Sequence, residues 1–249
     1  MTESNLNVNH SDFFCPACCG IGDHHSKGLS RRRLLWTGIS GALAATAFGV
    51  PFPDYARAQT NLSPDDALRA LLDGNKRYVE KHPTLLNQDM AILRHNTLQK
   101  QEPFAGVLSC ADSRVPVELA FDQSIGQLFV TRVAGNMAAP EIIASMEYGA
   151  AALGTRAILV LGHTGCGAVK ATMDGKAEPG QISALYAPIR PAVDAAAGNL
   201  DTAVKLNAKN QARLLATASP VLAGLIKEGK LKIAAGYYDL GSGKVSVLT

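Results

Sequence analysis

Four short apolar runs limit what this chain can fold into: Ala105–Ser109, Gln127–Val133, Ala157–Leu161 and Lys232–Ala235. None shows the strict in–out alternation of a half-exposed strand, so each suits a strand covered on both faces. Helical patterns lie between them: Pro140–Leu153, a short one after Cys166, Gln181–Ala197 and Thr202–Glu228. Strands alternating with helices predict an α/β fold with a mostly parallel central sheet flanked by helices. Upstream, Ser63 is a candidate N-cap for a helix from Pro64 to about Lys81, and a second helix is expected near Asp89–Gln99. The tail after Tyr238 reads as a closing strand reached through a Gly-rich turn. Residues 59–249 hold no internal repeat, low-complexity tract or linker, which predicts a single domain.

The amino-terminal part has a different texture. Arg31, Arg32 and Arg33 precede a stretch from Leu34 to Pro53 with no charged side chain, and Ala56-Arg57-Ala58 follows. A positive region, a weakly apolar region and a small-residue cleavage pattern, in that order, describe an export signal. Adjacent arginines ahead of a mildly hydrophobic stretch resemble a bacterial twin-arginine signal. Residues 1–58 are therefore expected to be removed, leaving Gln59–Thr249 in the periplasm with no stable membrane anchor. Ahead of the signal, Cys15, Cys18 and Cys19 with His24 and His25 form a cluster of metal-binding type. It reads as a spacer or a transient metal or redox contact.

Composition matters mainly through this division. The 249-residue chain carries a formal net charge of +3 from 24 basic and 21 acidic residues, too weak a bias to indicate nucleic acid as a partner. Of its five cysteines only Cys110 and Cys166 lie beyond residue 58, far too few for a disulfide-built scaffold.

Both of these follow expected strands. Cys110-Ala-Asp112-Ser-Arg114 comes after the first, and His163-Thr-Gly-Cys166 after the third. Ligands of open parallel sheets gather at the carboxyl ends of the strands, where two such loops can face each other. Two cysteines and a histidine are ligands of zinc type, with a fourth position left for water or for Asp112. Arg114 presents a planar fork suited to hold Asp112 bidentately and keep it ionised. A structural Cys110–Cys166 disulfide is the plain alternative in an oxidising compartment.

Together these paired motifs resemble those of the β-class carbonic anhydrases, from about Pro64 to the C-terminus. The resemblance implies Zn²⁺ on Cys110, His163 and Cys166. It makes Asp112 and Arg114 a catalytic dyad in which Asp112 either orients zinc-bound hydroxide or, released, closes the site as fourth ligand. It also implies that Gln101 hydrogen-bonds substrate and that Phe129 and Tyr148 wall an apolar carbon dioxide pocket at a dimer interface. The expected activity is reversible hydration of carbon dioxide to bicarbonate and a proton, by a dimer or tetramer. Hydrolysis of carbonyl sulfide or carbon disulfide, or zinc binding without turnover, are the alternatives. One departure is Arg132-Val-Ala-Gly-Asn136, where the family often reads Arg-Asn-x-Ala-Asn.

Overall fold

The first helix, α1 (Pro64–Val79), starts where the sequence says it should. The Ser63 hydroxyl accepts from the Asp66 amide, Pro64 occupies a position that needs no donor, and Asp65 and Asp66 face the positive helix end. It ends before Lys81, which adopts the left-handed φ of 60°. The computed structural model describes residues 60–85 and 90–249, all within one unit of the chain, Asp54–Thr249. The expected export signal and the Cys15/Cys18/Cys19/His24/His25 cluster lie outside the described residues.

After α1 come α2 (Met90–Thr97), β1 (Ala105–Ser109), α3 (Val117–Ala120), β2 (Leu128–Arg132), α4 (Pro140–Glu147) and β3 (Ala157–His163). There follow α5 (Gly167–Asp174), α6 (Tyr186–Asp194), α7 (Leu200–Ala218), α8 (Pro220–Lys227), β4 (Lys232–Tyr238) and β5 (Val245–Leu248). The strands form one sheet in the order β2-β1-β3-β4-β5, parallel except for β5. This is the expected mostly parallel sheet, closed by an antiparallel edge strand. No helix among the described residues is long and apolar enough to cross a membrane.

Successive strand residues feed opposite faces. Val107, Leu159 and Leu161 pack with Leu71 and Phe121 on the α1 side, while Leu108, Ile158 and Val160 pack with Leu215 and Leu222 of α7 and α8. β1 and β3 are buried along their whole length, but β2 is only half-buried. The expectation that all the runs are covered on both faces therefore fails for β2, the edge strand beyond β1, and for the start of β4, where Lys232 is exposed and Ile233 and Ala234 are half-buried.

Three helices differ from expectation, each for a local reason. Thr202–Glu228 is two helices, because Pro220 has no N–H to continue the first. Ser219 turns extended there and caps the second by accepting from the Leu222 amide. Pro140–Leu153 is α-helical only to Glu147, and Tyr148–Ala152 forms a wider π turn. The Gln181–Ala197 pattern becomes a 3-10 turn, Ile182–Leu185, followed by α6.

Two buried polar groups join distant segments. Asn75 on α1 donates from Nδ2 to the carbonyls of Ala120 (2.9 Å) and Gly243 (2.8 Å), and its Oδ1 accepts from the Val245 amide at 2.8 Å. Asp122 accepts from the Thr84 and Leu85 amides, both at 2.8 Å, and from Arg77 Nε at 2.6 Å. Burial pushes the Asp122 carboxyl up, but these donors outweigh it and hold the pKa at about 2.

Candidate metal centre

Parallel pairing aligns the carboxyl ends of β1 and β3, with Ser109 beside Leu161. Cys110 follows β1 directly. His163, expected just past its strand, is instead the last residue of β3, because β4 runs on to Tyr238 and pairs with it there. Gly165, at φ 65°, turns the chain, and Cys166 sits at the N-cap of α5. Cys110 Sγ and Cys166 Sγ are 3.9 Å apart, and one ligand atom from each of Cys110, His163 and Cys166 lies within 4.8 Å of the others. All three residues are buried, and both cysteines are free thiols, so the disulfide alternative is not formed.

The imidazole is set for coordination through Nε2. His163 Nδ1 lies 3.0 Å from the Thr164 carbonyl, where Nδ1–H donates, leaving the Nε2 lone pair free. Nε2 is buried and has no hydrogen-bond partner. Thr164 is itself anchored: its amide donates to the Tyr238 carbonyl (3.0 Å), its hydroxyl lies 3.2 Å from Asp239 Oδ2, and the Tyr237 hydroxyl is 3.1 Å away. Tyr237 also donates to Asp201, which is paired with Lys205.

The two thiols are unequal. A hydrogen bond shared with Cys166 is the largest influence on Cys110; with help from the Gly135 amide, 3.4 Å from Sγ, it overcomes burial and brings the thiol down. Cys166 is pushed up by donating that bond and by burial, against the pull of the Ala168 and Val169 amides at the start of α5. A divalent cation held here would take the place of this shared proton and supply charge enough for both thiolates.

Asp112 and Arg114 lie at the rim, with 17% and 58% of their side chains exposed. Arg114 Nε and Nη2 grip the two carboxylate oxygens at 3.0 and 2.8 Å, and the Arg114 amide adds a third bond at 2.9 Å. These donors overcome partial burial and hold Asp112 well below the usual carboxylate range. Its Oδ2 stands 3.9 Å from His163 Nε2, next to the cluster but held by Arg114. Arg132 fixes the same loop by donating to the Cys110 carbonyl at 2.9 Å and to that of Asp112.

The other expected site residues are not brought here within one chain. Gln101 is exposed in the segment before β1. Phe129 and Tyr148 pack on each other with ring centroids 6.2 Å apart, and Tyr148 is 50% exposed. Phe129 is level with Gly106, three residues before the strand end, about 10 Å back along the sheet. The clamp by Arg132 and the Thr164–Tyr237–Asp239 anchor were missed in the sequence. A hydroxyl residue next to a ligand histidine was the one signal available for the anchor.

The donor set fits zinc. Tetrahedral coordination with Zn–S bonds of about 2.3 Å separates two sulfurs by about 3.8 Å; the observed separation is 3.9 Å. The buried, unpartnered Nε2 supplies the lone pair such a site needs.

Fold and site together define the class: a mostly parallel α/β protein with a thiol–imidazole cluster of metal-binding type at its strand ends and an arginine-held carboxylate beside it. The chain belongs to the carbonic anhydrase family, whose pattern matches residues 105–245. It is 33% identical over 196 residues to a carbonic anhydrase of Mycolicibacterium smegmatis, covering 75% of this chain and 94% of that one. The solved β-carbonic anhydrase of Coccomyxa in complex with acetazolamide superposes with a TM-score of 0.57 at 27% identity, covering 73% of this chain and 86% of that one. Two tetrameric β-carbonic anhydrases of Sordaria macrospora share the fold, with a TM-score of 0.57 at 20% identity over 74% of this chain and 97% of that one.

Proposed function

We propose that this chain is a zinc-dependent carbonic anhydrase of the β class, interconverting carbon dioxide with bicarbonate and a proton. The observation that carries the reading is the convergence of Cys110, His163 and Cys166 within 4.8 Å, with Asp112 held by Arg114 at the rim. Cys110 Sγ, Cys166 Sγ and His163 Nε2 would hold zinc. Bound there, zinc supplies Lewis acidity that lowers the pKa of water from 15.7 to about 7.

The chain's own residues do the rest. Asp112, ionised throughout the neutral range, accepts a hydrogen bond at Oδ2 from the attacking water and turns its lone pair toward the substrate carbon. Arg114 keeps that carboxylate off the metal and fixed in direction. Release of the Arg114 grip would let Asp112 close the site as fourth ligand. Gln101 orients substrate oxygens, and Phe129 and Tyr148 wall the apolar pocket. Within one chain the aromatic pair is set back from its own metal centre, so we assign it to a pocket completed by a second copy in a dimer or tetramer. The tetrameric Sordaria relatives and the half-buried β2 edge support that assembly. The arginines at 31–33 and the Ala56-Arg57-Ala58 pattern support export to the periplasm with cleavage after Ala58.

Stopped-flow carbon dioxide hydration on metal-quantified protein tests the reading. Activity should follow zinc content; full activity in Cys110→Ser would overturn the site. Light scattering tests the assembly, and the N-terminal sequence of protein from the periplasmic fraction tests cleavage.

A further inference from the structure

The opposite edge of the sheet holds polar groups that the metal centre does not use. Where the chain enters β3, Thr155 is 3% exposed and its hydroxyl has no hydrogen-bond partner. The next residue, Arg156, has a buried Nε that is likewise unpartnered, and no carboxylate among the described residues pairs with its guanidinium. Native proteins rarely leave such donors unmet, and arginine cannot lose its charge to escape the cost.

Both residues border one cavity of about 60 Å³, together with Lys230, Leu225, Ala150 and Ala151. Its lining contains two cations and no acid. Lys230 is already engaged with Glu228 at 2.8 Å, so the uncompensated charge is that of Arg156. Arg156 is half-buried, so solvent can hydrate its charge, but single waters would have to meet the buried hydroxyl and Nε one by one. A small anion with several acceptor oxygens answers all three demands together, since guanidinium forks match oxyanion geometry. The backbone here is firmly placed: the Thr155 amide donates to the Gly149 carbonyl and the Arg156 amide to that of Phe104, both at 3.0 Å.

We propose that Thr155, Arg156 and Lys230 form a binding site for a small inorganic oxyanion of the sulfate or phosphate type. The site is separate from the metal centre, about 23 Å away along β3 by strand rise. Arg156 provides the charge and Nε–H, Thr155 donates its hydroxyl from the cavity wall, and Lys230 closes the open side.

The test uses the full, zinc-loaded chain. Crystals soaked in selenate should show an anomalous peak within hydrogen-bond reach of Arg156 Nε and Thr155 Oγ1, and Arg156→Gln should abolish it. In solution, sulfate or phosphate, compared with chloride at equal ionic strength, should raise the wild-type thermal midpoint saturably. Thr155→Val should weaken that rise, Arg156→Gln should remove it, and Arg156→Lys should restore part of it. No peak at this position, a peak that persists in Arg156→Gln, or equal midpoint shifts in wild type and Arg156→Gln would overturn the site. Hydration by Arg156→Gln should match wild type. Loss of hydration in wild type would instead overturn the proposed function, leaving the selenate result untouched.

Discussion

The Cys110–His163–Cys166 cluster is built from two loops that the protein treats differently. The β3 loop buries its donors: His163 and Cys166 are both 0% exposed, and Thr164 is held by Tyr237, Tyr238 and Asp239. The β1 loop lies at the rim, where the side chains of Asp112 and Arg114 are 17% and 58% exposed and bond chiefly to each other. The β3 loop fixes two of the three donors through contacts from far along the chain, while Cys110 and the Arg132 clamp belong to the β1 loop. The β1 loop also presents a carboxylate whose direction depends on a single neighbour two residues away. Two of the three donors thus sit on the more firmly anchored strand end, and the adjustable carboxylate shares the other with Cys110.

Breaking the rigid side should have the largest effect. His163→Ala removes the buried Nε2, and zinc content by elemental analysis should fall to background, with hydration down by roughly a thousandfold or more. Substantial retained zinc would show that the β3 loop does not carry the metal. On the adjustable side, Asp112→Asn should keep zinc but lower the hydration rate by roughly 10²–10³, the range for loss of a positioned proton acceptor. Because Arg114 holds the Asp112 carboxyl below its ordinary range, wild-type activity should show no acid limb from Asp112 between pH 5 and 9.

The anchor behind His163 should give a smaller effect. Thr164→Val removes the hydroxyl between Tyr237 and Asp239, and chelator competition should show zinc bound about 10–100-fold more weakly. Thr164→Ser should restore it, whereas an effect on folding alone would shift the apo-protein midpoint and leave zinc affinity unchanged. The smallest expected effect lies outside both loops. Asp122, with its pKa depressed to about 2, contributes stability that is complete above the ordinary carboxylate pKa and is lost as pH falls through about 2. The contribution is about 2 kcal/mol. Urea unfolding from pH 6 to pH 2 should show that loss in wild type and a shallower one in Asp122→Asn.

What was legible in the sequence depended on distance along it. Cys110, Asp112 and Arg114 lie within five residues, and His163 and Cys166 within four, each set after an apolar run. Strand-end geometry was enough to bring them together. The contacts of Thr164 come from residues 237–240, and no local spacing announces them. Pro220 was a readable helix breaker that the apolar periodicity on either side of it obscured. The π turn at Tyr148–Ala152 left no comparable mark. Phe129, Tyr148 and Gln101 were marked by their offsets from the motifs, yet offsets do not say which copy of the chain they serve.

The Asn75 clasp has a consequence for timing. It bonds the first helix to Gly243 and Val245, which are made 168 and 170 residues after Asn75. Thr164, which supports the metal-facing histidine, likewise depends on Tyr237, Tyr238 and Asp239. Chains emerge from the ribosome amino-terminus first, at roughly 5–20 residues per second. The first helix and the loop after β3 therefore wait several seconds or more for the same β4–β5 hairpin, and neither reaches its final form until that hairpin has been made.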